Sequence, residues 1–119
     1  MRKLQKRVKV FSNKSGMGTS LEVHNEQLCE RAKYPRLPIM AKLDLTCGKL
    51  SPSITVVLEG LSRVNDIWES LATGAFTSGE TKYLTSGVPR RLRSYRLNIT
   101  ANKNVIVSEA YIGVGTVED

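Results

Sequence analysis

The chain has 119 residues, of which 40% are hydrophobic and 6% aromatic, with 18 Lys and Arg against 11 Asp and Glu. That is the size of one domain with a real core, which excludes a disordered chain. No apolar run approaches the roughly 18 to 20 residues of a membrane-spanning helix, and the few aromatics argue against a base-stacking platform.

The charge of +7 is uneven: residues 1–50 carry eleven cations and four acids, and residues 51–119 carry seven of each. Arg2, Lys3, Lys6, Arg7, Lys9 and Lys14 crowd the start with no acid among them. This segment lacks the apolar centre of a signal peptide, so export is not expected. A basic end on a neutral body suggests contact with something anionic: nucleic acid, an acidic protein surface or anionic lipid.

Taken in order, residues 2–11 place Leu4, Val8 and Val10 on one side. They fit either an edge strand or an arm that a partner orders. Residues 12–20 (SNKSGMGTS) have the composition of a flexible loop. Leu21 and Val23 suggest a short strand. Residues 24–33 are the best helical stretch, though short enough to be a single turn. Tyr34 to Pro38 is extended because each residue before proline avoids the helical region.

Strict alternation then begins. Ile39, Ala41, Leu43 and Leu45 form one face of a strand, and Ile54, Val56 and Leu58 form one face of the next; the two read as a hairpin across Gly48–Ser53. After a polar corner, residues 67–72 read as a shorter strand with Trp68 as a core anchor. Residues 73–81 (TGAFTSGET) read as a glycine-rich loop in which Phe76 is an anchor, and Tyr83 and Leu84 as an edge strand. Arg91–Thr100 and Val105–Val114 are strong strands, joined by a hairpin turn at residues 101–104. The fold class is therefore all-β: a single antiparallel β-sandwich, jelly-roll or immunoglobulin-like, with an extended basic N-terminal segment. Residues 1–20 form the basic arm or edge strand plus loop, and residues 21–119 the sandwich.

Catalytic motifs are missing. His24 is the single histidine, no serine sits in a GxSxG elbow, and SGMGTS fits no phosphate-binding loop. Cys29 and Cys47 form no CxxC or Cys/His spacing, so neither metal nor cofactor is expected. They read as two reduced thiols, with a disulfide as the alternative. Two surface candidates remain. The first is the N-terminal segment: Arg2, Lys3, Lys6, Arg7 and Lys9 as electrostatic attachment, with Val8, Val10 and Phe11 packing. The plain alternative is that its lysines merely guard an edge. The second is Arg90, Arg91, Arg93 and Arg96, which either grip an anion through guanidinium forks or pair locally with Glu59, Asp66, Glu69 or Glu80. Trp68, Tyr83, Tyr95 and Tyr111 would serve a sugar-binding platform if exposed.

The run LDLTC, ITVVLEGL, IWESLATGAFT, LTSGVPRRLRSYRLNIT and NVIVSEAYIGVG resembles small β-sandwich virion proteins of tailed phages, of the head-decoration and capsid-stabilising type. The resemblance covers residues 38–114. It implies a non-enzymatic structural protein of the virion, assembled in the host cytoplasm, oligomeric, and attached to capsid or other virion proteins with no membrane involved. The expected mechanism is attachment through the N-terminal segment, so that deleting residues 1–11 would abolish attachment but spare the fold. The alternative is a nucleic-acid-binding β-domain using the basic N-terminus and the Arg90–Arg96 cluster on one surface.

Overall fold

A computed structural model describes residues 2–28, 39–47, 53–77, 81–86 and 92–117. These residues are almost wholly strand: β1 (Arg2–Ser15), β2 (Gly18–Thr19), β3 (Val23–His24), one helical turn α1 (Asn25–Leu28), β4 (Ile39–Cys47), β5 (Ser53–Leu61), β6 (Trp68–Phe76), β7 (Thr81–Thr85), β8 (Ser94–Lys103) and β9 (Val105–Val117). Two antiparallel sheets result. Sheet A runs β1-β9-β4-β7, and sheet B runs β2-β8-β5-β6 with β3 also on β8. β2 and β3 together act as one interrupted edge strand. Between them Ser20 N–H donates to the Leu97 carbonyl at 2.8 Å, and the Ser20 hydroxyl accepts from Leu97 N–H at 2.8 Å. With that pair counted as one, each sheet has four strands in jelly-roll order.

Period-two patterning explains the layers. Ile39, Ala41, Leu43 and Leu45 of β4 face Ile54, Val56 and Leu58 of β5 and Tyr95, Leu97 and Ile99 of β8. Val105, Val107, Ala110, Ile112 and Val114 of β9 complete one continuous core. Tyr95 is fully buried, and its hydroxyl accepts from Leu92 N–H at 3.0 Å, which satisfies the polar tip. Tyr95 is therefore no part of a sugar platform.

Several expectations need correction. Neither expected hairpin exists: β4 and β5 lie in different sheets, as do β8 and β9. The turn at Asn104, whose φ is +58°, carries the chain from one sheet to the other. A corner between sheets and a hairpin turn ask for the same residues, so sequence cannot separate them. Residues 73–76 belong to β6 rather than to a loop. Gly74 is needed there, because a Cβ would stand 2.5 Å from Phe76 Cζ and 2.6 Å from Leu84 Cδ2. Trp68 is not in the core but half-buried on the outer face of sheet B. The expected loop 12–20 is largely ordered by pairing, with β1 running to Ser15 and β2 at Gly18. The expected helix is described only as α1; residues 29–33 lie outside the described residues.

Candidate interaction surface

β1 is an edge strand hydrogen-bonded to β9 from Arg2 opposite Val117 to Ser15 opposite Ile106. Its register shifts between Gln5 and Val8 and again between Lys9 and Phe11. The second irregularity lets two successive residues, Val10 and Phe11, both turn inward and become buried. Val8 packs against the same core, while Arg7 and Lys9 stay exposed. Arg2 and Lys3 stand opposite Val117 and Thr116, and Lys6 falls within the first irregularity. The basic segment is thus both a structural strand and a charged margin.

The register of sheet A builds a feature that sequence reading missed. Lys9 pairs with Tyr111, Tyr111 with Lys42, and Lys42 with Tyr83. Directly paired residues share a face, so the outer side of sheet A carries a Lys-Tyr-Lys-Tyr row across all four strands. The Arg7 guanidinium lies 5.0 Å from the Tyr111 ring centroid and Lys9 Nζ 5.9 Å from it, within cation–π range. The Tyr111 hydroxyl donates to Glu109 Oε2 at 2.7 Å, and Lys9 Nζ reaches Glu109 Oε1 at 3.5 Å. The bond from Tyr111, then the charge of Lys9, holds the Glu109 carboxyl below its ordinary range. The same bond pushes the Tyr111 phenol up. The next row is acidic at its centre: Glu109 pairs with Asp44, whose Oδ1 accepts from Thr81 Oγ1 at 2.7 Å. The one signal in the sequence was that Lys42 and Tyr111 occupy out-of-phase positions of apolar strands. Their adjacency requires the register.

The arginine cluster lies elsewhere. Arg93 pairs with Asp66. Arg96 Nε donates to Glu59 Oε1 at 2.8 Å, and its guanidinium carbon sits 4.0 Å from the Trp68 ring centroid. Both belong to sheet B or its margin, so the structure does not bring them onto one face with β1. Arg90 and Arg91 lie outside the described residues, as does Cys29. His24 Nδ1 is 2.9 Å from Ser94 Oγ. That serine is only 2% exposed, so the contact fastens the β3 edge to β8 rather than presenting a nucleophile. Among the described residues, no group of three or more His, Cys, Asp or Glu could hold a metal ion, and no helix is long and apolar enough to cross a membrane.

No protein-family model matches this chain, and neither the curated proteins nor the solved structures contain a match.

Proposed function

We propose that this chain is a non-enzymatic structural protein of a virion, of the capsid-decorating or capsid-stabilising type, that attaches to other virion proteins through β1 and works in several copies. The observation that carries the reading is β1 itself: a fourteen-residue edge strand with cations and no acid, pinned to a rigid sandwich. An edge strand offers main-chain donors and acceptors to a partner strand, and its charges favour an acidic one. Copies arranged by symmetry would turn a modest contact into firm attachment. Jelly rolls occur in viral capsids, but also in lectins and cupins, so the fold alone does not select the role. The pattern resemblance to tailed-phage sandwich proteins is the second support.

The row Lys9-Tyr111-Lys42-Tyr83 favours a second reading, a nucleic-acid-binding β-domain in which cations meet phosphates and the rings meet bases. Because Arg93 and Arg96 pair locally on the other sheet, this version draws on sheet A alone. Light scattering of the purified chain, alone and with a short random DNA at low and moderate salt, separates the two. A discrete oligomer indifferent to DNA supports the structural reading. A monomer that binds DNA and releases it as salt rises overturns that reading in favour of the second.

A further inference from the structure

We propose that the outer face of sheet A binds an acidic polysaccharide in which charged and neutral sugars alternate. The inference goes beyond the structural reading above and does not depend on it.

Of the aromatic residues that a sugar platform could use, Tyr95 is buried and Trp68 lies on sheet B against the Arg96 guanidinium. Tyr111 and Tyr83 remain. Strand pairing sets both on the outer side of sheet A, with Lys42 between them and Lys9 at the β1 end of the row. Lys9 is exposed and the other three are half-buried. Charge and ring therefore alternate strand by strand. Neighbouring strands stand about 4.8 Å apart, so like groups recur about every 10 Å along the row. An extended β-linked pyranose chain advances by a similar step per sugar. A chain with an acid on every second sugar thus meets a lysine at each acid and a ring at each neutral sugar. The C–H face of a pyranose is electropositive and packs on the negative face of a tyrosine ring.

Arg7 and Lys9 lie 5.0 and 5.9 Å from the Tyr111 ring centroid. At exposed sites such contacts are weaker than charge-assisted hydrogen bonds to a carboxylate. An acid on the ligand therefore draws both cations toward itself and uncovers the ring.

The neighbouring row separates a sugar chain from nucleic acid. Glu109 stands opposite Asp44, and Asp44 opposite Thr81. Carboxylates set beside the lysines accept hydrogen bonds from sugar hydroxyls, as Asp44 Oδ1 accepts from Thr81 Oγ1 at 2.7 Å. A phosphodiester chain has few such donors. It also carries a charge on every unit, which sets phosphates against the two carboxylates, and like charges in contact oppose binding.

The test is isothermal titration calorimetry of the full chain at moderate salt. The probes are a hyaluronate octasaccharide, in which uronate and neutral sugars alternate, a neutral cello-oligosaccharide of similar length, and a short oligothymidylate. The variants are Lys42→Gln and Tyr83→Ala. The control is Lys103→Gln, which removes the same charge from an exposed position on β8 of sheet B, because a chain of net charge +7 attracts any polyanion. Circular dichroism verifies that each fold is kept. The parent is expected to bind the hyaluronate probe at least about tenfold more tightly than the other two probes, and each variant to lose at least about tenfold of that affinity. Lys103→Gln should stay within about twofold of the parent. No binding of hyaluronate, or an affinity that Lys103→Gln lowers as much as Lys42→Gln does, overturns the inference. Tighter binding of oligothymidylate also overturns it and assigns the row to nucleic acid. Failure with hyaluronate leaves the structural reading untouched, since that reading is tested by the mass of the chain alone and with DNA.

Discussion

The two long edge strands, β1 and β6, each carry a large aromatic and use it in opposite ways. Phe11 of β1 is buried among the core residues, while Trp68 of β6 stands half-buried on the outer face of sheet B beneath the Arg96 guanidinium. β1 spends its apolar side on the core and shows charge to solvent. β6 gives the core Ala72 and Phe76 and shows solvent almost no charge. A basic terminal segment can thus be structural: the part of the sequence that most resembles a detachable arm is paired along its length with β9 and gives Val10 and Phe11 to the core.

The largest expected effect follows directly. Removing residues 1–11 deletes most of β1 and, with it, Val10 and Phe11 from the core. The truncated chain should lose its cooperative thermal transition, contrary to the sequence-based expectation that the sandwich survives. Next, Phe11→Ala is expected to cost about 3–5 kcal/mol by chemical denaturation, as for a buried aromatic. Trp68→Ala, which breaks a cation–π contact at a partly exposed site, should cost only about 1–2 kcal/mol; equal costs would erase the distinction between the two edges. Smaller again is Lys9→Gln, which removes an exposed ion pair with Glu109 and should cost no more than about 1 kcal/mol. It should nevertheless weaken attachment to any anionic partner, measurable as reduced co-sedimentation with that partner.

The smallest effect is a shift in titration. In Glu109→Gln the Tyr111 phenol should titrate closer to its ordinary value, followed by its ultraviolet absorbance. The sign for stability follows from the two directions. Glu109, lowered by folding, contributes above its unfolded value and loses that contribution as pH falls. Tyr111, raised by folding, contributes below its unfolded value and loses that contribution as pH rises through its folded one. The pair therefore favours the folded chain between the carboxylate range and the phenol range, and weakens on either side.

What could be read from the sequence was whatever period two controls. The inward positions of β4, β5 and β8 follow from alternation alone, and so does the all-β class. What could not be read was which strands are neighbours. Ala101–Asn104 has the composition of a tight turn, yet Ala101 to Lys103 continue β8 and Asn104 turns the chain from one layer to the other. Gly74 suggested a loop, whereas it leaves room for Phe76 and Leu84 to meet. Trp68 suggested a core because large aromatics usually bury, but its partner is a guanidinium outside. The local reading of the arginines was available from charge balance, and Asp66 and Glu59 are indeed the partners of Arg93 and Arg96. Only the out-of-phase positions of Lys42 and Tyr111 pointed toward the Lys-Tyr row, since its four members come from four strands brought together by pairing distant in the chain.

The pairing of β1 with β9 also bears on how the molecule is made. Arg2 lies opposite Val117, so the first strand of the sandwich to be synthesised has its neighbour in the last. During translation β1 has no native strand beside it until nearly the whole domain has emerged, and ordering by distant contacts is slow. Its lysines and arginines then keep the waiting segment soluble and discourage pairing with other nascent chains. The charge at the start of the chain is thus of use before the fold exists, during the interval in which the strand has no partner.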